Sequence, residues 1–166
     1  MSGALDNIHP ELDQSNTIKI LAKNFNEIDN ESDYYMAVSH LVNFPGSISV
    51  QALMSFLECS SSASSVLLAQ RKAVEVLARL DAVEAEPTIS ACLSSSDIYM
   101  IENAAWALAK LSCQEPSVHA LMIKLVQDHR QNQRVLIQSL AQLNVTQAVP
   151  VIKNLLKSDQ PSVRGA

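Results

Sequence analysis

The residue types that usually carry catalysis do not form a known catalytic pattern in this sequence. His40, His119 and His129 lie far apart, and the three cysteines have unrelated spacings. No Gly-rich phosphate loop, CxxC pair or HExxH motif occurs. A metal site needs several ligands at suitable spacing, and a nucleophile needs a base beside it. We therefore predict no catalytic residue, no metal site and no resident cofactor.

A second set of residues has the spacing of a binding surface. The single tryptophan, Trp106, lies four residues after Glu102 and four before Lys110, which places all three on one face of a helix. A tryptophan among charged residues is typical of a binding hot spot. The alternative is that Trp106 folds over its own helix and covers a core of small residues.

Five further residues extend this predicted surface. Tyr35 occupies the equivalent stripe near the start of the chain. Arg71 and Glu75 are four apart, so they either pair with each other or face a ligand. Arg134 and Arg164 have no acidic partner at that spacing. We expect both to receive carboxylates from a ligand or partner, because guanidinium grips carboxylate with two hydrogen bonds. Structural hydrogen bonds between repeats are the alternative role.

The composition excludes several classes of protein. Of the 166 residues, 48% are apolar and 17% charged, which excludes a disordered chain. A net charge of −5 argues against binding to nucleic acid or to an anionic membrane. Three glycines and six prolines are too few for the tight turns of an all-β protein. The aromatic content of 4% indicates a core of small and aliphatic side chains.

The sequence shows no targeting signal. The first sixteen residues carry Asp6, Glu11 and Asp13 without an apolar run, unlike a signal peptide. No stretch approaches the ~18 uninterrupted apolar residues of a membrane span. An odd number of cysteines does not suit a disulfide framework. We expect a cytoplasmic protein without membrane insertion, with a flexible N-terminal segment at residues 1–16.

Internal repetition organises the rest of the chain. Four octets share small or apolar residues at places one and two, leucine at place five, and leucine or phenylalanine at place eight. They begin at Ala37, Ala73, Ala104 and Leu136, and a fifth begins at Ala166. These places lie on one helical face. Each octet follows another helical segment: 17–28, 48–58, 85–93, 117–127 and 148–156.

Two helices in roughly 31 residues are typical of HEAT-like repeats. The sequence therefore predicts an all-α fold, a right-handed α-solenoid of about five HEAT-like helix pairs over residues 17–166. The second helices are expected to line its concave face, with a serine-rich loop at residues 60–65. Because residues 161–166 only begin a second helix, the last pair is incomplete. Either the chain is a fragment of a longer protein, or another chain covers this end.

At these residues the sequence resembles the HEAT-repeat phycobilisome bilin lyases, the E- and F-type phycobilin lyase subunits and related HEAT-like phycobiliprotein chaperones. Residues 33–37, Asp-Tyr-Tyr-Met-Ala, are similar to the start of the family's Tyr-Tyr-x-x-Trp-Trp segment. Residues 97–108 resemble its Asp-Tyr-x-x-Glu-x-Ala third repeat. The serine-rich insertion before residues 69–73 is similar in position to the family's insert. Val38 and Ser39 stand where the family has two tryptophans.

The resemblance implies a protein of cyanobacteria or similar phototrophs that handles a bilin and a phycobiliprotein subunit. It implies binding roles for Tyr34, Tyr35, Glu102 and Trp106. It also implies a second HEAT-repeat subunit as a heterodimer partner. The phycobilin is then a substrate or transferred ligand.

Two functional hypotheses follow. In the first, a lyase subunit holds the bilin extended on Tyr35 and Trp106 and presents it to a client cysteine. Arg71, Arg134 or Arg164 binds the bilin propionates, and the aromatic rings stack on the pyrroles. The rate gain comes from proximity. In the second, the chain is a non-catalytic HEAT scaffold or chaperone in phycobilisome assembly or degradation, or in iron–sulfur assembly. The absent tryptophan pair favours the second, and a solenoid adaptor unrelated to pigments is a third possibility.

Overall fold

The computed structural model describes residues 13–157, which are helical and contain no β-strand. The α-helices in this range are α1 (Gln14–Ala22), α2 (Asp33–His40), α3 (Ser47–Glu58), α4 (Ser64–Arg79), α5 (Glu86–Ala91), α6 (Ile98–Lys110), α7 (Pro116–Val126), α8 (Gln133–Gln142) and α9 (Val149–Leu156). Short 3₁₀ turns lie at Phe25–Glu27, Leu41–Asn43, Val83–Ala85, Cys92–Ser94 and Thr146–Ala148. The predicted all-α class is confirmed.

The helices fall into two compact units, Met1–Leu80 and Asp81–Ala166, here called the N-terminal unit and the C-terminal unit. Helix α1 begins at Gln14, capped by the Asp13 side chain, three residues before the predicted start. The rest of the segment expected to be flexible lies outside the described residues. So do residues 161–166, the predicted start of the last second helix, and with them Arg164.

The core of the N-terminal unit is built where the octets predict it. Helix α2 packs on α1 and α4, and α3 packs on α1 and α4. Of the octet positions, Ala37, Val38 and Leu41 on α2 and its 3₁₀ extension are at most 2% exposed. On α4, Ala73 and Leu77 are fully buried. Small residues at the first two places allow close helix contact, so this core needs few aromatic rings.

The C-terminal unit repeats the arrangement. Helix α6 packs on α5 and α8, and α7 packs on α8. The octet residues Ala104, Ala105 and Leu108 are fully buried, and Leu136 and Leu140 are 1% exposed. Prolines stand in the first turns of α5, α7 and α9, where the missing N–H costs no hydrogen bond.

A recurring hydrogen bond ties second helices to the first helices that precede them. It comes from the residue three places before the octet, which is Tyr34 on α2, Gln70 on α4 and Gln133 on α8. Tyr34 Oη donates to the carbonyl of Lys23 at 2.7 Å, and Gln133 Nε2 to that of Val126 at 2.8 Å. Gln70 Nε2 donates to the carbonyls of Phe56 and Cys59, at 3.0 and 2.8 Å. These buried donors bond carbonyls at the ends of the first helices, where intrahelical donors run out. Phe56 O also accepts from the N–H of Cys59 at 3.3 Å. On α6 the same place holds Ile101, which has no polar group.

The second helices of the C-terminal unit end in left-handed residues that are not glycine. Ser112 after α6 has φ 59°, and Asn144 after α8 has φ 57°. The N–H of Cys113 donates to Leu108 O, and that of Val145 to Leu140 O. These bonds are the Schellman motif, which turns the chain sharply out of the helix.

The helices in residues 13–157 are too short and too polar to cross a lipid bilayer. The longest of them, α4, has 16 residues.

Candidate functional site

Tyr34 is a core residue in this structure. Its side chain is 3% exposed, and its ring lies 5.3 Å from the ring of Phe56 on α3. Burial raises its pKa above the ordinary value, so the hydroxyl stays a donor to Lys23 O. The resemblance implied a binding role for Tyr34, but its ring has no accessible face. We therefore leave Tyr34 out of the candidate surface, since its position is the one that Gln70 and Gln133 use for structural hydrogen bonds.

Tyr35, the next residue, lies at the surface of the N-terminal unit. It is 36% exposed. The ammonium group of Lys72 on α4 lies 6.0 Å from the centre of its ring, within the range of a cation–π interaction. This contact joins α2 to α4 at the exposed side of both helices. We call the group formed by Tyr35, Arg71, Lys72, Glu75 and Arg79 the Tyr35 surface.

Glu75 is the anionic centre of the Tyr35 surface. Its carboxylate lies 2.6 Å from Lys72 Nζ and 3.1 Å from Arg79 Nε. Burial alone would raise the pKa of Glu75, but hydrogen bonds from Lys72 and Arg79 outweigh it and hold the pKa below its usual value. The carboxylate is therefore ionised and neutralised from within α4. Arg71, one of its predicted partners, is half-buried and already makes a polar contact.

The C-terminal unit carries a second candidate surface, made of Glu102, Trp106 and Lys110 on α6 and Arg134 on α8. We call it the Trp106 surface. Trp106 is 38% exposed, so part of its ring faces solvent and the rest contacts protein. Lys110 and Arg134 are exposed. The predicted helical stripe is thus accessible, as a binding face requires, while its binding role stays a prediction.

Asn132 fixes the carboxylate of the Trp106 surface. Its Nδ2 donates to Glu102 Oε1 at 3.1 Å, and its Oδ1 accepts from the N–H of Val135 in the first turn of α8. One side chain therefore caps α8 and holds it against α6. Gln142 Nε2 donates to Ala109 O at 3.5 Å near the other end of both helices, so α6 and α8 run in the same direction.

Two residues at these surfaces, the half-buried Lys72 and the exposed Tyr99, were not among the predicted site residues. Lys72 was overlooked because it lies one place off the stripe, although its reach to Tyr35 is set by the packing of α2 on α4. Tyr99, 56% exposed, lies seven residues before Trp106 and so on the same face of α6. Its spacing was the signal that could have identified it.

The cysteines and histidines are dispersed in the fold. Cys59 is exposed, Cys92 half-buried and Cys113 buried. Burial raises the pKa of both Cys92 and Cys113, which makes these thiols poor nucleophiles. His119 Nε2 lies 2.7 Å from Cys113 O. Within residues 13–157 no group of three or more His, Cys, Asp or Glu side chains could hold a metal ion.

The C-terminal unit also has concave surfaces away from Trp106. A cleft of about 520 Å³ lies between the start of α7 and the turn after α8, and His119 and Asn144 contribute to its lining. Another, of about 530 Å³, lies between the starts of α5 and α7, beside Glu86 and Glu115. Neither includes a predicted site residue.

The sequence of this chain is similar to those of two known proteins. The chain is 43% identical to the bilin biosynthesis protein CpeY of Synechococcus sp. strain WH8020 over 145 residues, which are 87% of this chain and 35% of that protein. It is 38% identical over 142 residues to an uncharacterized phycocyanin operon protein Y of Pseudanabaena tenuis strain PCC 7409, covering 86% of this chain and 34% of that protein. The predicted resemblance to the HEAT-like phycobilin lyase family is confirmed. The chain spans about a third of the length of these two relatives.

The fold of this chain has a solved counterpart. It resembles the complex of CpcE and CpcF of phycocyanin lyase from Nostoc sp. PCC7120 with a TM-score of 0.74. The likeness covers 93% of this chain and 62% of that chain at 23% sequence identity, so it bears on the fold. The HEAT-like helical solenoid class is confirmed by it. No protein-family model matches the chain.

The residues at the place of the expected Trp-Trp pattern have structural roles in this chain. Val38 is fully buried, so that position belongs to the core. Ser39 is half-buried, and its hydroxyl donates to the carbonyl of Tyr35 at 2.8 Å. A serine beside Tyr35 leaves this ring as the aromatic group of the Tyr35 surface.

Proposed function

We propose that this chain acts in the cytoplasm as a phycobilin lyase-type subunit. It binds a linear tetrapyrrole, a phycobiliprotein subunit, or both on the exposed faces of its second helices. It then assists attachment of the chromophore to a client cysteine. The observation that carries the proposal is the 43% identity, over 87% of the chain, with a protein named for bilin biosynthesis.

The exposed side chains suit the two parts of such a ligand. The rings of Tyr35 and Trp106 offer flat surfaces on which pyrrole rings stack. Cations beside them attract the carboxylates of propionate side chains. In the N-terminal unit these cations are Arg71 and Lys72, and in the C-terminal unit Lys110 and Arg134. The binding predicted for Arg164 belongs to the same proposal.

The chemistry of attachment fits a protein that positions its substrates. When a thiol adds across a carbon–carbon double bond, sulfur bonds to one carbon and the proton goes to the conjugated system. No atom is lost and no oxidant is needed. Holding the bilin near the client thiol then supplies the rate gain through proximity.

The proposed partners are a phycobiliprotein subunit and a second HEAT-repeat subunit in a heterodimer. Support for the second subunit comes from the structural neighbour, which is a complex of CpcE with CpcF. The proposal includes neither nucleic acid nor a resident metal or cofactor.

A non-catalytic chaperone or scaffold for phycobiliproteins is the second candidate function. It is favoured by Val38 and Ser39, which provide no aromatic ring where the related pattern has two. Such a protein would bind the client subunit without handling the pigment.

Co-expression with bilin synthesis enzymes tests the proposal. We expect visible absorption to co-purify with the chain, and Trp106→Ala and Tyr35→Ala each to weaken it. Val83→Ala and Ile48→Ala are matched controls, because these side chains are 57% and 63% exposed and lie outside both candidate surfaces. They should leave the absorption unchanged.

The same experiment separates the two functions. A stable complex with a phycobiliprotein subunit in the absence of pigment supports the chaperone. Absorption that survives both aromatic substitutions contradicts the assignment of the surfaces. If the chain binds neither pigment nor client, both candidate functions fail.

A further inference from the structure

Lys72 occupies a fixed place between an aromatic ring and a carboxylate. Its ammonium group lies 2.6 Å from Glu75 Oε2 and 6.0 Å from the centre of the Tyr35 ring. Its side chain is 25% exposed, which is low for a lysine. The two contacts hold a normally flexible side chain in one arrangement, so a ligand that meets it needs to order little more.

The ammonium group keeps binding capacity in this arrangement. The group has three N–H donors. One donates to Glu75, and a second side of the group faces the Tyr35 ring in a cation–π contact. Among the described residues, the contacts of this group are those with Glu75 and the Tyr35 ring, so one N–H is left for an incoming acceptor. An acceptor placed there also lies beside the exposed ring of Tyr35.

Charge in the N-terminal unit is concentrated at this point. Among residues 13–80 there are five Lys and Arg, and three of them, Arg71, Lys72 and Arg79, lie on α4. The same range has seven Asp and Glu, of which α4 carries one, Glu75. Helix α4 therefore has a formal charge of +2, while the rest of this range has −4. An anionic ligand is attracted to α4.

We propose that Lys72 binds a propionate carboxylate of the tetrapyrrole while the Tyr35 ring stacks on the pyrrole that carries it. The inference rests on the proposed function and deepens it by naming the ligand contact in the N-terminal unit. Two methylene groups separate a propionate carboxylate from its pyrrole. A pyrrole stacked on Tyr35 can therefore place its carboxylate at the adjacent ammonium group of Lys72. Glu75 stays bound to Lys72 and Arg79 and keeps the ammonium group in place.

Binding of a diacid and of its ester distinguishes this role from a structural one. The probes are biliverdin, which has two free propionates, and biliverdin dimethyl ester, which keeps the rings and lacks the charges. Each is titrated into the purified full chain and followed by absorption. The variants are Lys72→Met, Lys72→Arg and, as a matched control, Lys19→Met on an exposed site of α1.

We expect Lys72→Met to weaken biliverdin binding about tenfold, the loss typical of one charge-assisted hydrogen bond, and to leave the ester within about twofold. Lys72→Arg should retain most of the affinity, and Lys19→Met all of it. Equal weakening of both probes, or of neither, overturns the role of Lys72 and leaves the proposed function standing. If the wild-type chain binds neither probe, bilin binding fails, and this inference fails with it.

Discussion

The two candidate surfaces hold their carboxylates in different ways. In the N-terminal unit, Glu75 is neutralised by two cations of its own helix, Lys72 and Arg79. In the C-terminal unit, Glu102 accepts a hydrogen bond from the neutral amide of Asn132, which belongs to the next second helix. Both carboxylates are therefore fixed, one by charge and the other by an amide that also caps α8.

Because of this difference, two cations of the Tyr35 surface are already paired, whereas those of the Trp106 surface are available to a ligand. Lys72 and Arg79 of the Tyr35 surface are paired with Glu75 before a ligand arrives, so we expect ligand binding to cost less side-chain entropy there. Lys110 and Arg134 on the Trp106 surface are exposed, and residues 13–157 hold no ion pair to either. They are free to turn toward a ligand, but they lose rotamer freedom when they bind. We expect the Tyr35 surface to bind a ligand more specifically, and the Trp106 surface to adapt its side chains to the ligand.

Tyrosine substitutions give the largest expected contrast between the units. We expect Tyr34→Ala to lower the free energy of unfolding by about 3 to 4 kcal/mol, because it removes a buried ring and leaves Lys23 O unpaired. Tyr99→Ala, at a residue 56% exposed, should cost less than about 0.5 kcal/mol. Urea denaturation followed by circular dichroism measures both.

Tyr34→Phe serves as the intermediate control for this pair. It keeps the contact with Phe56 and removes only the hydrogen bond to Lys23 O, so a loss of about 1 kcal/mol is expected. Similar losses in Tyr34→Ala and Tyr99→Ala would show that Tyr34 is accessible, and the binding role that the resemblance implied would return.

The two units also differ in the hydrogen bonds that buried glutamines make to the ends of the first helices. Gln70 in the N-terminal unit bonds two carbonyls, and Gln133 in the C-terminal unit bonds that of Val126. Replacement by leucine keeps the volume and removes the amide donor. Cys59 O and Val126 O lose this partner, whereas Phe56 O keeps the N–H of Cys59. We expect a loss of about 2 kcal/mol for Gln70→Leu and about 1 kcal/mol for Gln133→Leu. Thermal denaturation should rank them in this order.

Gln138→Leu on the exposed face of α8 is the matched control, and it should be close to neutral. A neutral Gln70→Leu would mean that water reaches the end of α3 and replaces the amide. The recurring hydrogen bond would then have no part in the stability of the N-terminal unit.

Neutralising each carboxylate probes the two surfaces directly. Glu75→Gln leaves Lys72 and Arg79 without their counter-charge, and we expect a loss of about 0.5 to 1 kcal/mol, since the pairs are partly exposed. Glu102→Gln keeps an oxygen that can accept from Asn132, so its loss should be smaller. The Glu75 effect should shrink in 1 M salt and the Glu102 effect should not, because salt screens ion pairs. Equal salt dependence would remove the distinction between the surfaces.

The pH dependence of the Glu75 effect has a definite sign. Its pKa is lower in the folded chain than the ordinary value of 4.5. The stabilisation is therefore complete above about pH 4.5 and is lost as the pH falls through the folded pKa. The difference in unfolding free energy between wild type and Glu75→Gln should be constant from about pH 5 to 7 and shrink below that range. A difference that grows in acid would contradict the ion-pair network.

Periodicity was sufficient to predict the helical core. The octet positions at Ala73, Leu77, Ala104 and Leu108 are fully buried, as the spacing of their apolar residues required. Helix ends were less certain, because 3₁₀ turns such as Leu41–Asn43 continue the apolar pattern of a helix. Local spacing determines which face is buried, but the last turn depends on hydrogen bonds with neighbouring elements.

The candidate surfaces were only partly predictable. The stripe through Trp106 follows from spacing within one helix, and its residues are accessible. Lys72 and Asn132 act between helices, so their contacts depend on how α2 meets α4 and how α6 meets α8. The burial of Tyr34 shows the same limit. A tyrosine and a glutamine at one repeat position share a structural hydrogen bond that the residue types do not reveal in sequence.

Helix ends give the smallest expected contrast. In the N-terminal unit the described residue with positive φ is Gly46, at the N-cap of α3. In the C-terminal unit Asp81, Ser112 and Asn144 have left-handed φ values just after α4, α6 and α8. A side chain at positive φ costs energy that glycine avoids, although glycine gains more freedom on unfolding. We expect Ser112→Gly to raise the free energy of unfolding by about 0.5 kcal/mol and Asn144→Gly by less, because asparagine tolerates this conformation. Differential scanning calorimetry should detect both shifts, and a destabilising Ser112→Gly would mean that the serine side chain makes a compensating contact. The serine that follows α6 would then cost the C-terminal unit no stability.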